Sequence, residues 1–220
     1  MIEAVFLYAG YMIIDHFITI LDQVGITVFV ISGALVAAKL RMDITSFIFL
    51  GMAAGLGGGT LRDLLLGRTP VFWISDPDYF TLCLIVASIT YFVAHWLERV
   101  STLLLWFDAA GMALFAIIGT QISLDYGTTI SVALLMGVIT ASFGGLIRDI
   151  MAGQPSILFQ KNVYMTAALA GCSAYIIMIK FTEIDPNIAL VSSAALTFMV
   201  RGAGILFDWR VPSYKWIDKS

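Results

Sequence analysis

Seven apolar runs of spanning length decide what this chain of 220 residues can fold into. An α-helix crosses the hydrocarbon core of a bilayer with about 20 apolar residues, and short separators with charges or turn residues interrupt the runs. Only 12% of the residues are charged, against about a quarter in a soluble domain. We therefore expect an all-α membrane protein, a single transmembrane domain over 1–220. The predicted spans are 17–38, 44–66, 79–97, 102–124, 129–151, 163–181 and 188–207.

The distribution of basic residues predicts the orientation. If the N-terminus lies outside, seven basic residues fall in inner segments and only Arg68 and Lys180 in outer ones. The inner set is Lys39, Arg41, Arg99, Lys161, Arg210, Lys215 and Lys219. Because cytoplasmic loops carry the excess of Lys and Arg, we expect a multi-pass protein of the cell inner (plasma) membrane with a cytoplasmic C-terminus.

The first six spans contain an internal repeat. Asp22, Gly25, Phe29 and Gly33 recur 86 positions later as Asp108, Gly111, Phe115 and Gly119. The same offset relates Gly58-Gly59 to Gly144-Gly145 and Arg62-Asp63 to Arg148-Asp149, and an offset of 85 relates Tyr79 to Tyr164. The repeats cover about 17–97 and 102–181, and the extra helix at 188–207 lies outside them. Because each repeat holds an odd number of spans, we expect an inverted repeat of three plus three helices.

Glycines cluster inside the second and fifth spans. An interior glycine costs a helix about 1 kcal/mol relative to alanine, so Gly57-Gly58-Gly59 predicts a kink or local unwinding. Freed backbone groups persist at membrane depth only where they face protein or water, so a monovalent cation could bind at the Gly58 and Gly144 kinks. The alternative is that the glycines only allow close helix packing.

Ionisable groups follow both glycine clusters. Within a span such groups usually mark an ion or substrate path, although Arg62-Asp63 and Arg148-Asp149 could instead form a structural clamp. Pairing across the repeats, Arg62 with Asp149 and Arg148 with Asp63, is geometrically possible. Asp22 and Asp108 open the first and fourth predicted spans, either as helix-start residues or as acidic vestibules.

Several classes of function have no supporting motif or composition in the sequence. A net charge of −3 without a basic run argues against nucleic acid as a partner. We find no catalytic motif, no cofactor motif and no metal-ligand spacing, so an enzyme is not expected. Arg201 and Lys180 lie near span ends and are expected to snorkel to the interface.

The glycine and arginine motifs carry a family resemblance. With Gly57 to Asp63, the Gly67-Arg68-Thr69-Pro70 segment and the second copy at Gly144 to Asp149, the chain resembles prokaryotic members of the trimeric intracellular cation (TRIC) channel family. The resemblance implies a homotrimer in the lipid membrane, with a pore for monovalent cations, chiefly K⁺, in each protomer. The residues expected to line or gate that pore are Gly57, Gly58, Gly59, Thr60, Arg62, Asp63, Ser142, Gly144, Gly145, Arg148 and Asp149.

Two functions remain open at this point. The leading hypothesis is a channel for K⁺ or Na⁺, with its pore between the two repeats. Closely similar bacterial proteins are also described as glycine transporters. The alternative is therefore a secondary transporter for a small zwitterion such as glycine, whose carboxylate would meet an arginine or a helix N-terminus.

Overall fold

The computed structural model of the chain describes residues 2–96, 100–156 and 163–209, with side chains from residue 18 onward. Within these residues the regular structure is helical, with a short 3₁₀ turn at Ala94–Trp96. The helices are α1 (Ile2–Lys39), α2 (Ile44–Leu66), α3 (Phe72–Ser75), α4 (Asp78–Val93), α5 (Val100–Asp125), α6 (Ile130–Met151), α7 (Met165–Phe181) and α8 (Pro186–Leu206).

Six of the described helices are long and apolar enough to cross a membrane. They correspond to six of the predicted spans and include the last one, in α8. The remaining prediction coincides with α7, an apolar helix of 17 residues. At 1.5 Å per residue α7 is about 26 Å long, slightly less than the hydrocarbon core of about 30 Å.

The helix starts differ from the prediction at both repeated aspartates. α1 begins at Ile2 and α5 at Val100, so Asp22 and Asp108 lie inside helices and do not open them. The actual start of α2 carries Asp43, whose Oδ1 accepts hydrogen bonds from the Ser46 backbone N–H at 2.9 Å and the Ser46 hydroxyl at 2.7 Å. The helix-start interpretation of Asp22 and Asp108 is therefore wrong.

α1 and α5 pack through equivalent residues of the repeat. The rings of Phe29 and Phe115 lie 5.2 Å apart between centroids. A methyl group on Gly25 would lie 2.9 Å from the Phe115 ring, and one on Gly111 would lie 2.8 Å from the Phe29 ring. Equivalent residues of the two repeat copies thus contact each other reciprocally at this interface.

α2 and α6 cross at the repeated glycines. The Cα of Gly58 packs against the carbonyl oxygen of Thr140, and Gly144 packs in the same way against that of Ala54, so neither position has room for a side chain. Both helices continue through these positions without interruption. The predicted unwinding is therefore wrong, and so is the reason to expect carbonyl groups free to bind a cation there. Close helix packing, the alternative, explains these glycines.

Candidate functional site

Each of the two repeated arginines, Arg62 and Arg148, pairs with the aspartate that follows it. Arg62 donates from Nε to Asp63 Oδ1 at 2.9 Å, and Arg148 donates from Nε to Asp149 Oδ1 at 2.8 Å. The two copies thus share one local geometry, and the suggested pairing across the repeats is wrong. A guanidinium held by a neighbouring carboxylate is partly neutralised inside the membrane.

Asp63 also organises the segment that follows α2. Its Oδ1 lies 3.1 Å from Nη1 of Arg68, and its Oδ2 accepts a 3.0 Å hydrogen bond from the Phe72 backbone N–H. Gly67 ends α2 in the left-handed region, at φ 71°, which turns the chain so that Arg68 returns to Asp63. Asp63 therefore anchors Arg62 and Arg68 from a buried position.

A polar cavity of about 540 Å³ lies at the end of the bundle where α2 and α5 end and α4 begins. Asp22 from α1 and Arg62 from α2 line it, and Tyr79 of α4 faces Asp22. Arg68 and Asp125 add one charge of each sign. The remaining lining residues are Ile18, Thr19, Phe72, Ile122 and Tyr126. With acidic and basic groups on its wall, this cavity can hold water, a small ion or a small zwitterion.

The repeat equivalents form a second polar cluster, which is buried. Asp108, Arg148 and Tyr164 correspond to Asp22, Arg62 and Tyr79, and they are only 1%, 0% and 2% exposed. Arg148 Nη1 donates to Asp108 Oδ1 at 2.9 Å and to Ser32 Oγ at 2.6 Å. Gly145 adjoins the cluster, because a methyl group there would lie 3.2 Å from Asp108 Oδ1. We call Asp108, Arg148, Tyr164 and Arg201 the sealed cluster.

The other predicted pore residues separate into two groups. Gly57 and Thr60 line an apolar groove of about 380 Å³, distinct from the polar cavity. Thr60 Oγ1 accepts a 3.0 Å hydrogen bond from Trp73 Nε1. Gly59 packs beneath the Phe72 ring, and Ser142 is buried. Of the first glycine-rich segment, Arg62 reaches the polar cavity.

Arg201 is the main functional candidate that sequence reasoning missed. It does not snorkel, because it is only 1% exposed, and its Cζ lies 5.1 Å from the centroid of the Tyr164 ring. Its position within an apolar span was a signal, but α8 lies outside the repeat and offered no counterpart. The repeat did not indicate a role for Ser32 either, because the equivalent position in the second repeat is Ile118. Arg68 and Asp125 were not predicted as site residues, because both lie in segments between predicted spans.

The comparisons with known proteins agree with this architecture. The family model described as Glycine transporter matches residues 19–95 and 105–180, two segments whose first residues are 86 positions apart. The UPF0126 inner membrane protein YadS of Escherichia coli strain K12 is 32% identical over 195 residues, which cover 88% of this chain and 94% of that protein.

Solved structures share the fold as well. The TRIC trimeric intracellular cation channel orthologue from Rhodobacter sphaeroides is 42% identical, with a TM-score of 0.85 over 87% of this chain and 98% of that one. A structure described as the structural basis for conductance through TRIC cation channels is 30% identical, with a TM-score of 0.80 over 90% and 98% of the two chains. The chain is a helical membrane protein, and it belongs to the family that unites the Glycine transporter model, the UPF0126 membrane proteins and the prokaryotic TRIC channels.

Proposed function

We propose that this protein is a channel for monovalent cations, chiefly K⁺ and also Na⁺. The observation that carries the proposal is the likeness to two solved TRIC cation channels, at 42% and 30% identity. The polar cavity fits this function, because the Asp22 and Asp125 carboxylates concentrate cations at its wall. Arg62 is held by Asp63 and tunes the barrier without closing the path.

The path runs through each protomer between the two repeats. The polar cavity and the sealed cluster are built from equivalent residues, and the α2–α6 crossing at Gly58 and Gly144 lies between the repeats. Because the repeat is inverted, the cavity opens toward the outside of the inner membrane. The sealed cluster then lies near its cytoplasmic face. This arrangement places one charged site on each side of the crossing.

We propose a homotrimer embedded in membrane lipid, on the model of the trimeric channel orthologue. Large apolar side chains such as Phe49, Phe92 and Ile150 are more than half exposed in the single chain. Lipid and neighbouring protomers are the apolar surroundings that such side chains require.

A carrier for a small zwitterion is the second candidate. The polar cavity favours it, because Arg62 and Arg68 can bind a carboxylate while Asp22 and Asp125 can bind an ammonium group. The description of the matching family as Glycine transporter agrees with this chemistry.

Substitution of Asp22 tests whether the polar cavity serves cation flow. In single-channel recordings in KCl, Asp22→Asn should lower the K⁺ conductance, because one fixed negative charge leaves the cavity wall. Asp78→Asn is the matched control, since Asp78 is exposed at the start of α4 and does not line this cavity. Equal K⁺ currents in wild type and Asp22→Asn would remove the cavity from the conduction path.

A further inference from the structure

The polar cavity and the sealed cluster contain equivalent residues of the two repeats, but the two sites differ in their access to water. Both arginines are buried, with Arg62 2% and Arg148 0% exposed, but Asp22 is partly exposed beside the cavity of about 540 Å³, whereas Asp108 is only 1% exposed. In the sealed cluster Arg148 pairs directly with Asp108 at 2.9 Å. The difference requires contacts that the first repeat does not have.

Arg201 supplies one of these contacts from outside the repeat. Its guanidinium lies against the ring of Tyr164, and its Nη1 donates to the carbonyl oxygen of Val163 at 3.3 Å. Tyr79, the counterpart of Tyr164, instead lines the open cavity. The guanidinium of Arg201 thus packs on Tyr164 in the sealed cluster, whereas the equivalent Tyr79 in the first repeat borders the cavity.

α8 holds Arg201 in place by close packing on both sides. A methyl group on Gly202 would lie 3.2 Å from the Trp106 ring of α5, and one on Gly204 would lie 3.2 Å from Val163 Cβ. This end of α8 therefore fits tightly against α5 and against the segment that enters α7. A small displacement of α8 would lift Arg201 from Tyr164.

Among the residues that the structure describes, the sealed cluster holds buried guanidinium nitrogens without a hydrogen-bond partner. They are Nη2 of Arg148 and both Nε and Nη2 of Arg201. Within the described part of the chain, Arg201 also forms no ion pair with a carboxylate within 4.0 Å. Buried charged groups with unmet hydrogen bonds are costly, so hydration of the cluster offsets part of the cost of opening it.

We propose that Arg201 is the closing residue of the permeation path: it holds the sealed cluster shut against Tyr164, and the path opens when Arg201 leaves that ring. The proposal rests on the proposed channel function, because it assigns the sealed cluster to the path. The structure then represents a state open at Asp22 and closed at Asp108.

Cysteine accessibility tests the proposal independently of ion flow. In a Cys83→Ala, Cys172→Ala background, Ser32→Cys reports on the sealed cluster and Thr19→Cys on the open cavity. The reagent is 2-aminoethyl methanethiosulfonate, applied to the purified full-length protein. We expect rapid labelling of Thr19→Cys and slow labelling of Ser32→Cys.

Removal of the Arg201 charge should open the cluster. Arg201→Gln should accelerate labelling of Ser32→Cys by about tenfold or more, leave Thr19→Cys unchanged and raise the open probability of the channel. Lys180→Gln is the control, because Lys180 is exposed at the end of α7. Unchanged labelling of Ser32→Cys in assembled Arg201→Gln would overturn the proposal.

The outcomes separate this proposal from the proposed function. If the wild type carries no cation current but Arg201→Gln still exposes Ser32→Cys, the channel function fails while the closing role stands for another transport path. Arg201→Lys, which keeps the charge but loses the planar guanidinium, should give intermediate labelling. Misassembly of both Arg201 variants would overturn the proposal, since it would show that Arg201 supports the fold.

Discussion

Arg148 and Asp108 form a buried ion pair of 2.9 Å, although they are 40 positions apart in the chain. Arg62 and Asp22 are separated by the same 40 positions, but within the described residues they form no ion pair within 4.0 Å, and both border the polar cavity. One repeated pair of residues therefore exists in a joined and a separated arrangement. This difference predicts unequal effects of the same substitution in the two repeats.

Asp108→Asn should destabilise the protein more than Asp22→Asn. Loss of the Asp108 charge removes one of the two carboxylate partners of the buried Arg148 guanidinium, and a hydrogen bond to a charged group contributes about 1.5 to 3 kcal/mol. Asp22→Asn removes no direct ion pair and should cost about 1 kcal/mol or less. Thermal stability of both variants, followed by gel filtration in one detergent, measures the difference. Equal losses of stability would contradict the asymmetry.

The close crossing of α2 and α6 predicts that alanine at the crossing glycines lowers the stability of the protein. Gly58→Ala and Gly144→Ala should each destabilise by about 1 to 3 kcal/mol, because the new methyl group meets a backbone carbonyl that cannot move aside. Gly57→Ala is the matched control, since its methyl would lie 3.0 Å from the flexible end of Ile147. Resistance to urea should fall for the first two variants and stay level for the third. A fall in all three would point to flexibility as the reason for the glycines.

The N-cap of α2 should weaken in acid. Hydrogen bonds from the side chain and backbone of Ser46 lower the pKa of Asp43 below its usual value of 3.8. A lowered pKa in the folded state means that this contribution is full above about pH 3.8 and is lost as the pH falls through the folded-state pKa. The protection of the first-turn amides of α2, taken relative to their intrinsic exchange rates, should therefore fall more steeply below pH 4 in wild type than in Asp43→Asn, whose amide oxygen caps at any pH. Parallel profiles for the two proteins would refute the cap assignment.

The distribution of Lys and Arg predicts a cytoplasmic C-terminus. A reporter fused after Ser220 should be active only in the cytoplasm, and one fused after Arg68 only outside. Both results together would place the polar cavity at the outer face and the sealed cluster at the inner face. An active external reporter at the C-terminus would overturn the inverted arrangement and the direction of the path.

The fold was predictable to the extent that lipid imposes it. Apolar runs must be about 20 residues long to span a bilayer, so α2 and α6 could be placed to within a residue. The offset of 86 positions paired Arg62 with Arg148 because buried charges rarely recur by chance. The role of Gly58 could not be predicted from the sequence, because a glycine suits an unwound helix and a close helix crossing equally. Its contact at the crossing, Thr140, is also distant in sequence.

The candidate site was predictable only in part for a related reason. Asp22 and Asp108 look alike in sequence, but packing seals one and leaves the other on a cavity. Arg201 gained its place from the packing of α8, which has no repeat counterpart. Tertiary contacts, rather than local pattern, thus decide which of the repeated charges water can reach.

Planar-bilayer recording of the purified wild-type protein in KCl, with and without glycine, tests the central claim most directly. We predict K⁺ currents that reverse at the K⁺ equilibrium potential in a KCl gradient and do not change when glycine is added. An absence of ion current, together with glycine accumulation in proteoliposomes made from the same preparation, would contradict the channel and establish the carrier.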